Sequence, residues 1–183
     1  MNVEDITLVT GNPGKAEQIS RFLGHRIRHS NLDLIEIQSL DPEEIVTHKV
    51  REAYSQLQSP VLVEDVSLTF SVLGELPGPF IKWFEKSIGN DGLCHLLDKH
   101  SSRDAHAKAV YGFFDGENLK IFQGESAGTI SEIPRGENAF GWDAIFIPEG
   151  HTKTRGEMNT EEKDATSIRQ PALKQLETFL LSI

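Results

Sequence analysis

Residues 7–24 read TLVTGNPGKAEQISRFLG, in which an apolar run, a turn and a helical pattern follow one another. Lys15 stands where the helix begins. A helix N-terminus already carries partial positive charge, so a lysine there is unfavourable unless an anion joins it. The stretch therefore predicts a strand, a phosphate-binding turn and a helix, with a solvated lysine in a tight turn as the alternative.

The turn is not a P-loop. It is shorter than that motif between its two glycines, Gly11 and Gly14, and Ala16 follows Lys15 where a P-loop has Ser or Thr. The phosphate interpretation therefore needs support from elsewhere in the chain.

Composition limits the classes of function. The chain has 183 residues, which predicts one domain or two lobes sharing a core. Its net charge of −10 disfavours nucleic acid and anionic membrane as partners, but allows a small anion where a few cations and a metal ion converge. The single cysteine, the acidic N-terminus without a signal-type segment and the lack of a membrane-length apolar run together predict a cytoplasmic protein.

Strand-like and helix-like patterns alternate along the chain, which predicts an α/β fold. Asp41, Pro42 and Glu44 form an N-cap, a first helical residue and a capping-box partner for the second helix, which carries Lys49. A short buried strand is predicted at 61–63. Further predictions are two short helices in IKWFEKSI and DGLCHLLDKH, strands at 105–114, 119–123 and 126–133, and a C-terminal helix beginning near Arg169.

Two acids, Glu64 and Asp65, directly follow the short strand. Adjacent carboxylates repel each other, and a hard cation such as Mg²⁺ would relieve the repulsion. The alternative is that one acid caps a loop and the other faces water. Glu36, in LDLIEIQ, is by itself typical of a solvated residue on an edge strand.

The segment FGWD places Phe140 and Trp142 beside Asp143. Such aromatics most often build core, but a ring beside a carboxylate can also stack on a planar base and accept its N–H groups.

Four motifs together resemble the inosine triphosphate pyrophosphatase family, also called Ham1-like. TGNPGK (10–15) resembles its phosphate loop, and VLVEDVSLTFSVLGELPGPFIKWF (61–84) its acidic motif and the loop after it. FGWDAIFIPEG (140–150) resembles its base-pocket motif, and EEKDATSIRQPAL (161–173) its C-terminal substrate segment. The similarity runs in order from about Ile6 to Phe179.

The resemblance implies a Mg²⁺-dependent enzyme that hydrolyses noncanonical purine nucleoside triphosphates (ITP, dITP and XTP) to the monophosphate and pyrophosphate, cleansing the nucleotide pool. It implies one domain over residues 1–183, with a long curved mixed β-sheet flanked by helices and two lobes with a central cleft, and a homodimer. The resemblance assigns metal binding to Glu36 and Asp65, and it also assigns the activation of water to Asp65. The implied substrate-binding residues are Thr10, Gly11, Asn12, Gly14, Lys15, Lys49, Phe140, Gly141, Trp142, Asp143, Lys163, Ser167 and Arg169.

Three residues depart from the family pattern. Val66 replaces a Thr or Ser, Asp164 replaces an Asn, and Ile168 replaces a His that reads the 6-oxo group of the base. Isoleucine cannot donate that hydrogen bond, and losing a specific donor weakens discrimination. Two alternatives follow: the same chemistry with a different or broader base specificity, or a nucleotide-binding protein with weak turnover.

Overall fold

The structure, a computed structural model, describes residues 3–137 and 140–182. Its helices are α1 (Pro13–Leu23), α2 (Pro42–Leu57), α3 (Ile81–His95), α4 (Thr160–Ala165) and α5 (Arg169–Leu180). Its strands are β1 (Thr7–Val9), β2 (Arg28–Ser30), β3 (Val61–Phe70), β4 (Pro77–Gly78), β5 (Asp104–Phe114), β6 (Leu119–Ile130) and β7 (Phe146–Pro148). Within the described ranges, no helix combines the length and the apolar character that crossing a bilayer would require.

The strands form one seven-stranded mixed sheet. Its order is β2-β1-β3-β5-β6-β7, and β4 pairs with β3 outside that path. Strand β1 is parallel to both β2 and β3, whereas β4 is antiparallel to β3 and β7 is antiparallel to β6. The predicted α/β class and mixed sheet are confirmed.

The chain divides into two compact units. The first unit consists of Met1–Val66, Ala109–Gly124 and Arg169–Ile183. Apolar faces of α1 and α5 are buried here with residues of β1, β3, β5 and β6. A separate valine-rich cluster buries α2 against the same strands, with Val46, Val50, Val61 and Val63 fully excluded from solvent. Both helices whose N-termini carry a conspicuous cation, α1 and α5, therefore belong to this unit.

The second unit consists of Ser67–Lys108 and Glu125–Ile168. Its buried apolar residues include Leu68, Phe70, Leu93, Leu97, Ile145 and Phe146. The two short helices predicted here form α3, which is interrupted at Gly89, where φ is 67° and ψ is 179°. Glycine tolerates that left-handed φ without a Cβ clash, so the interruption falls at the residue best suited to it.

The bounds predicted for two strand regions differ from those in the structure. Strand β3 does not end at Val63 but continues through Glu64 and Asp65 to Phe70, so both acids lie inside a strand. The strands predicted at 119–123 and 126–133 are one strand, β6, which continues through Gly124 and ends at Ile130. Pairing with neighbouring strands supplies ladder hydrogen bonds across positions where local composition favours a break.

The N-terminus of α2 is capped as predicted by Asp41, whose Oδ1 accepts a hydrogen bond from the Glu43 N–H at 2.9 Å. The predicted capping box is wrong. The Glu44 carboxylate accepts instead from the Ser39 hydroxyl at 2.6 Å, and that hydroxyl accepts from the Asp41 N–H at 3.0 Å. A serine outside the helix thus takes over the reciprocal bond that the spacing assigned to Glu44.

Candidate functional site

The turn between β1 and α1 is organised by its own side chains. Asn12 is the N-cap of α1, and its Oδ1 accepts from the Gly14 N–H at 3.0 Å. The Asn12 N–H in turn donates to Thr10 Oγ1 at 3.1 Å. A Cβ at position 14 would lie 3.2 Å from Asn12 Oδ1, so glycine there lets the cap close tightly. The turn presents Lys15 at the start of α1, as predicted.

Lys15 already has an anion within the protein. Its Nζ pairs with Oε2 of Glu64, whose side chain is only 3% exposed. Arg169, the first residue of α5, donates from Nε to the other oxygen, Oε1, of the same carboxylate at 2.6 Å. The cations at two helix N-termini, each unfavourable by itself, thus share one buried glutamate as a counter-ion.

Glu64 is held as a carboxylate. Its Oε1 also accepts from the Tyr111 hydroxyl at 2.7 Å. Burial by itself would raise the pKa of Glu64, but the charges of Arg169 and Lys15, with hydrogen bonds from Lys15 and Tyr111, lower it to about 2. Burial and the charge of Glu64 keep the pKa of Tyr111 well above its usual value, so the hydroxyl stays a donor.

Asp65, the next residue of β3, lies in a second charged group. Lys49 Nζ is 3.6 Å from Asp65 Oδ1 and 3.2 Å from Glu36 Oε1, and it also donates to the Glu64 carbonyl at 3.4 Å. The Asp65 side chain is 16% exposed and that of Glu36 46%. The pair assigned to metal binding, Glu36 and Asp65, therefore approaches one common cation, the ammonium of α2.

The environment of Asp65 differs from that of its neighbour. Burial raises the pKa of Asp65 to about 6; the charge of Lys49 opposes this rise, and the charges of Glu36 and Glu64 add to it. Oδ2 of Asp65 is buried and has no hydrogen-bond partner among the described residues. A carboxylate with an unused buried lone pair and a raised pKa is typical of a functional group rather than a structural one.

The FGWD segment lies in the second unit, with Gly141 to Ala144 in a 3-10 turn. Gly141 has a φ of 60°, and its carbonyl accepts from Asn90 Nδ2 at 3.0 Å. Phe140 is 72% exposed and so does not build core, whereas the Trp142 ring packs edge-on against Phe146 at 5.5 Å between centroids.

Asp143 is bound by two cations of the same unit. Arg155 donates from Nε to Asp143 Oδ1 at 3.1 Å, and Lys163 Nζ lies 3.6 Å from Oδ2. Ser167 precedes α5, and Ile168 is only 6% exposed. The predicted residues of the second unit thus include a connected pair, Asp143 and Lys163, joined by an arginine that sequence reasoning did not select.

Three residues of these networks were missed. The sequence allows Glu64 to lie beside a hard cation such as Mg²⁺, to cap a loop or to face water, but it does not predict the observed pairing with Lys15 and Arg169. The signal for Glu64 was present, because two helix-start cations lacked an anion and an acid followed three apolar strand residues. Tyr111 stands in an apolar strand run, and only its hydroxyl hinted at a buried polar partner. Nothing in the sequence singled out Arg155.

Comparison with known proteins agrees with the motif order. The model of the Ham1 family matches residues 6–179. An inosine triphosphate pyrophosphatase 2 of Trypanosoma cruzi is 45% identical over 175 residues, covering 93% of this chain and 89% of the relative. The inosine triphosphate pyrophosphatase of Schizosaccharomyces pombe is 38% identical over 184 residues, covering 98% and 97%.

Solved structures show the same fold. A HAM1 protein from Coxiella burnetii superposes with a TM-score of 0.84 at 29% identity, and the Ham1 protein of Staphylococcus aureus with 0.86 at 25%. Each match covers 97% of this chain and 98% of the other. Matched along nearly its whole length in both sequence and fold, the chain belongs to the Ham1 family.

Proposed function

We propose that this protein hydrolyses noncanonical purine nucleoside triphosphates, ITP, dITP and XTP, to the monophosphate and pyrophosphate. The observation that carries the proposal is the charged cluster of the first unit. Lys15 and Arg169 form ion pairs with Glu64, and Lys49 forms an ion pair with Asp65, the next residue of the strand. The names of the relatives, inosine triphosphate pyrophosphatases, support the class of substrate.

The cations match the charge that the reaction develops. Cleavage between the α- and β-phosphates moves negative charge onto the leaving pyrophosphate, and positioned cations stabilise that charge most effectively where water is limited. Lys15, Lys49 and Arg169 have side chains that are 28%, 12% and 23% exposed. The N-terminus of α1 adds a fixed dipole at the same turn.

Asp65 is the proposed general base. Its pKa of about 6 leaves it ionised at neutral pH and still basic enough to take a proton from water. Glu64 is excluded from that role because its pKa of about 2 and its three donors leave it a poor proton acceptor. The two adjacent acids are therefore given different tasks by their surroundings.

Glu36 and Asp65 fit a hard divalent ion such as Mg²⁺. Both place a carboxylate oxygen near the Lys49 ammonium, and Oδ2 of Asp65 accepts no hydrogen bond from the described part of the chain. Within residues 3–137 and 140–182, no group of three His, Cys, Asp or Glu residues could hold a metal. The remaining ligands would then be phosphate oxygens and water, which is the usual arrangement for Mg²⁺. When bound, Mg²⁺ would neutralise phosphate charge.

In the second unit, we propose that Phe140 and Trp142 provide aromatic surface for the base and that Asp143 accepts its N–H groups. We also propose, from the family resemblance, a cytoplasmic homodimer that binds neither nucleic acid nor membrane. The net charge of −10 supports the latter point.

The direct test is a product assay. Incubation with Mg²⁺ and ITP or XTP is expected to yield the monophosphate and pyrophosphate, with little product from ATP. Pyrophosphate and orthophosphate are measured separately, because sequential phosphate release would give only orthophosphate. Orthophosphate as the sole inorganic product, or nucleotide binding without turnover, would contradict the proposed reaction.

A broader base specificity is the second candidate. It is favoured by Ile168, which is buried and has no polar group with which to read a base. The same assay across pyrimidine triphosphates separates the candidates: rates on dUTP or CTP comparable with ITP would favour broad specificity over the noncanonical purine assignment.

The pH dependence of turnover should follow the ionisation of the Asp65 carboxyl. Below a pH of about 6 the carboxyl is protonated and cannot accept a proton, so kcat/KM for ITP is expected to fall by about tenfold per pH unit. Higher Mg²⁺ should move this fall to lower pH, because a bound cation favours the carboxylate. The measurement is a set of pH profiles at several Mg²⁺ concentrations. A profile that stays flat between about pH 5 and pH 7 even at the lowest Mg²⁺ concentration would exclude Asp65 as the base.

A further inference from the structure

Arg155, which begins a 3-10 turn in the second unit, holds two parts of that unit together. Its Nε donates to Asp143 Oδ1 at 3.1 Å. Its Nη1 donates to Thr166 Oγ1 at 2.8 Å, to the Thr166 carbonyl at 3.0 Å and to the Lys163 carbonyl at 3.3 Å. The side chain is only 14% exposed. Four bonds to three residues fix the plane of the guanidinium.

The two Nη nitrogens of this guanidinium differ in their contacts. Nη2 donates in no hydrogen bond found among residues 3–137 and 140–182, whereas Nε and Nη1 together make all four. In any arginine, the Nε–H and one Nη2–H lie along the same edge of the planar fork. The edge that donates to Asp143 therefore carries a second donor, Nη2–H, which no described residue accepts.

We propose that Arg155 is a specificity-determining residue that donates to the 6-oxo group of the base while Asp143 accepts the neighbouring N1–H. This inference rests on the proposed function, since it assumes that a purine is bound at Asp143. It assigns to Arg155 the donor that buried Ile168 lacks.

The fixed order of donor and acceptor discriminates between purines. Hypoxanthine and xanthine present an acceptor at O6 and a donor at N1, which matches an arginine beside a carboxylate. Adenine presents a donor at N6 and an acceptor at N1, so both contacts become repulsive in the same pose. Guanine shares O6 and N1–H with hypoxanthine, so this pair does not separate ITP from GTP.

The rigidity of Arg155 is what gives the pair its selectivity. A mobile cation could turn away from an amino group and let water fill the gap, but Nη1 is bonded to Thr166 and Lys163. Lysine at this position would retain the charge but not the two-nitrogen edge. Arg155→Lys is therefore expected to resemble Arg155→Gln in selectivity.

The experiment measures kcat/KM for ITP, GTP and ATP in the wild type, Arg155→Gln, Arg155→Lys and Arg103→Gln. Arg103 is the matched control, because it is a 21%-exposed arginine of the same unit that donates to the carbonyls of Ile130, Cys94 and Ser131 and lies 3.5 Å from Asp98. Both Arg155 variants should lower the ITP-to-ATP ratio by about 10- to 100-fold. The ITP-to-GTP ratio should stay within about twofold, and Arg103→Gln should preserve both ratios.

Unchanged ITP-to-ATP ratios in folded Arg155 variants would overturn the inference and leave Arg155 as a structural brace, with the proposed function intact if the wild type still releases pyrophosphate from ITP. Failure of the wild type on every triphosphate would overturn the proposed function, and this inference with it. If neither variant folds, as judged by thermal melting, wild-type rates on purine riboside triphosphate decide. That analogue lacks O6 and N1–H, so hydrolysis as fast as that of ITP would overturn the inference, and a deficit of about tenfold or more would support it.

Discussion

Replacing Asp65 by asparagine is expected to lower turnover of ITP by about 10²- to 10⁴-fold, the usual contribution of a positioned general base. The amide has nearly the same shape as the carboxylate, but it cannot accept a proton from water and is a weaker ligand for Mg²⁺. The measurement is kcat for pyrophosphate release at saturating Mg²⁺, together with thermal melting.

The same variant should be at least as stable as the wild type. The fold raises the pKa of Asp65 from its ordinary 3.8 to about 6, so it favours the protonated form. The stability that comes from the protonated form is fully present below pH 3.8 and is lost as the pH rises through about 6. At neutral pH the ionised carboxylate therefore lowers the free energy of unfolding by roughly 3 kcal/mol. Asparagine avoids the cost, and the melting temperature is expected to stay the same or rise.

Asp115→Asn is the matched control in the same unit. Asp115 accepts hydrogen bonds from the N–H groups of Glu117 and Asn118 in the turn between β5 and β6. The Asp115→Asn variant should lose some stability and keep full turnover, whereas Asp65→Asn should lose turnover and keep its stability. Turnover of Asp65→Asn within about tenfold of wild type would rule out the base, and a parallel loss of stability and activity would indicate a structural role.

Much of the fold was predictable because local signals and tertiary packing agree. Asp41 with Pro42 is a strong helix-start signal, and α2 begins where that signal places it. The first helix was predicted to begin at Lys15, and α1 begins two residues earlier, at Pro13, because Asn12 caps it. Predictions failed where long-range pairing overrode local composition. Strand β3 carries two acids through its middle because its partners supply the ladder bonds and nearby cations compensate the charge.

The site could be predicted only in part, for a similar reason. Lys15, Lys49 and Arg169 are conspicuous at helix starts and helix edges, but which acid pairs with each depends on contacts between distant segments. Glu64 and Arg169 are 105 residues apart in sequence. Arg155 could not be predicted for the same reason. It joins Asp143 to Thr166, and no local sequence pattern encodes that contact.

Replacing Glu64 by glutamine is expected to destabilise the protein by about 3 kcal/mol at neutral pH. The amide leaves Lys15 and Arg169 facing each other without their counter-ion, and breaking a buried ion pair by removing one partner typically costs this much or more. The lowering of the pKa of Glu64 from 4.5 to about 2 corresponds to a similar free energy. The measurement is the free energy of unfolding in urea.

The pH dependence gives this loss a signature. Because the fold lowers the pKa of Glu64, its stabilisation is fully present above pH 4.5 and is lost as the pH falls through about 2. The difference in unfolding free energy between wild type and Glu64→Gln should therefore shrink steadily below pH 4.5. A difference that stays constant down to about pH 3 would point to lost packing instead of lost charge.

The effect of added pyrophosphate on the stability of Glu64→Gln tests whether Lys15 and Arg169 also bind phosphate. If Lys15 and Arg169 bind the polyphosphate, an added anion can replace the missing carboxylate, so pyrophosphate should raise the melting temperature of Glu64→Gln more than that of the wild type. Tyr111→Phe is the control, because it removes only the hydroxyl bond to Glu64 and leaves both cations paired. Its melting temperature should fall, by the loss of one hydrogen bond to a charged group, and its response to pyrophosphate should match the wild type. Equal responses in all three proteins would mean that Lys15 and Arg169 only stabilise the fold and that the phosphates bind elsewhere. A pyrophosphate that contacted these two cations would stabilise Glu64→Gln more, because that variant lacks their carboxylate.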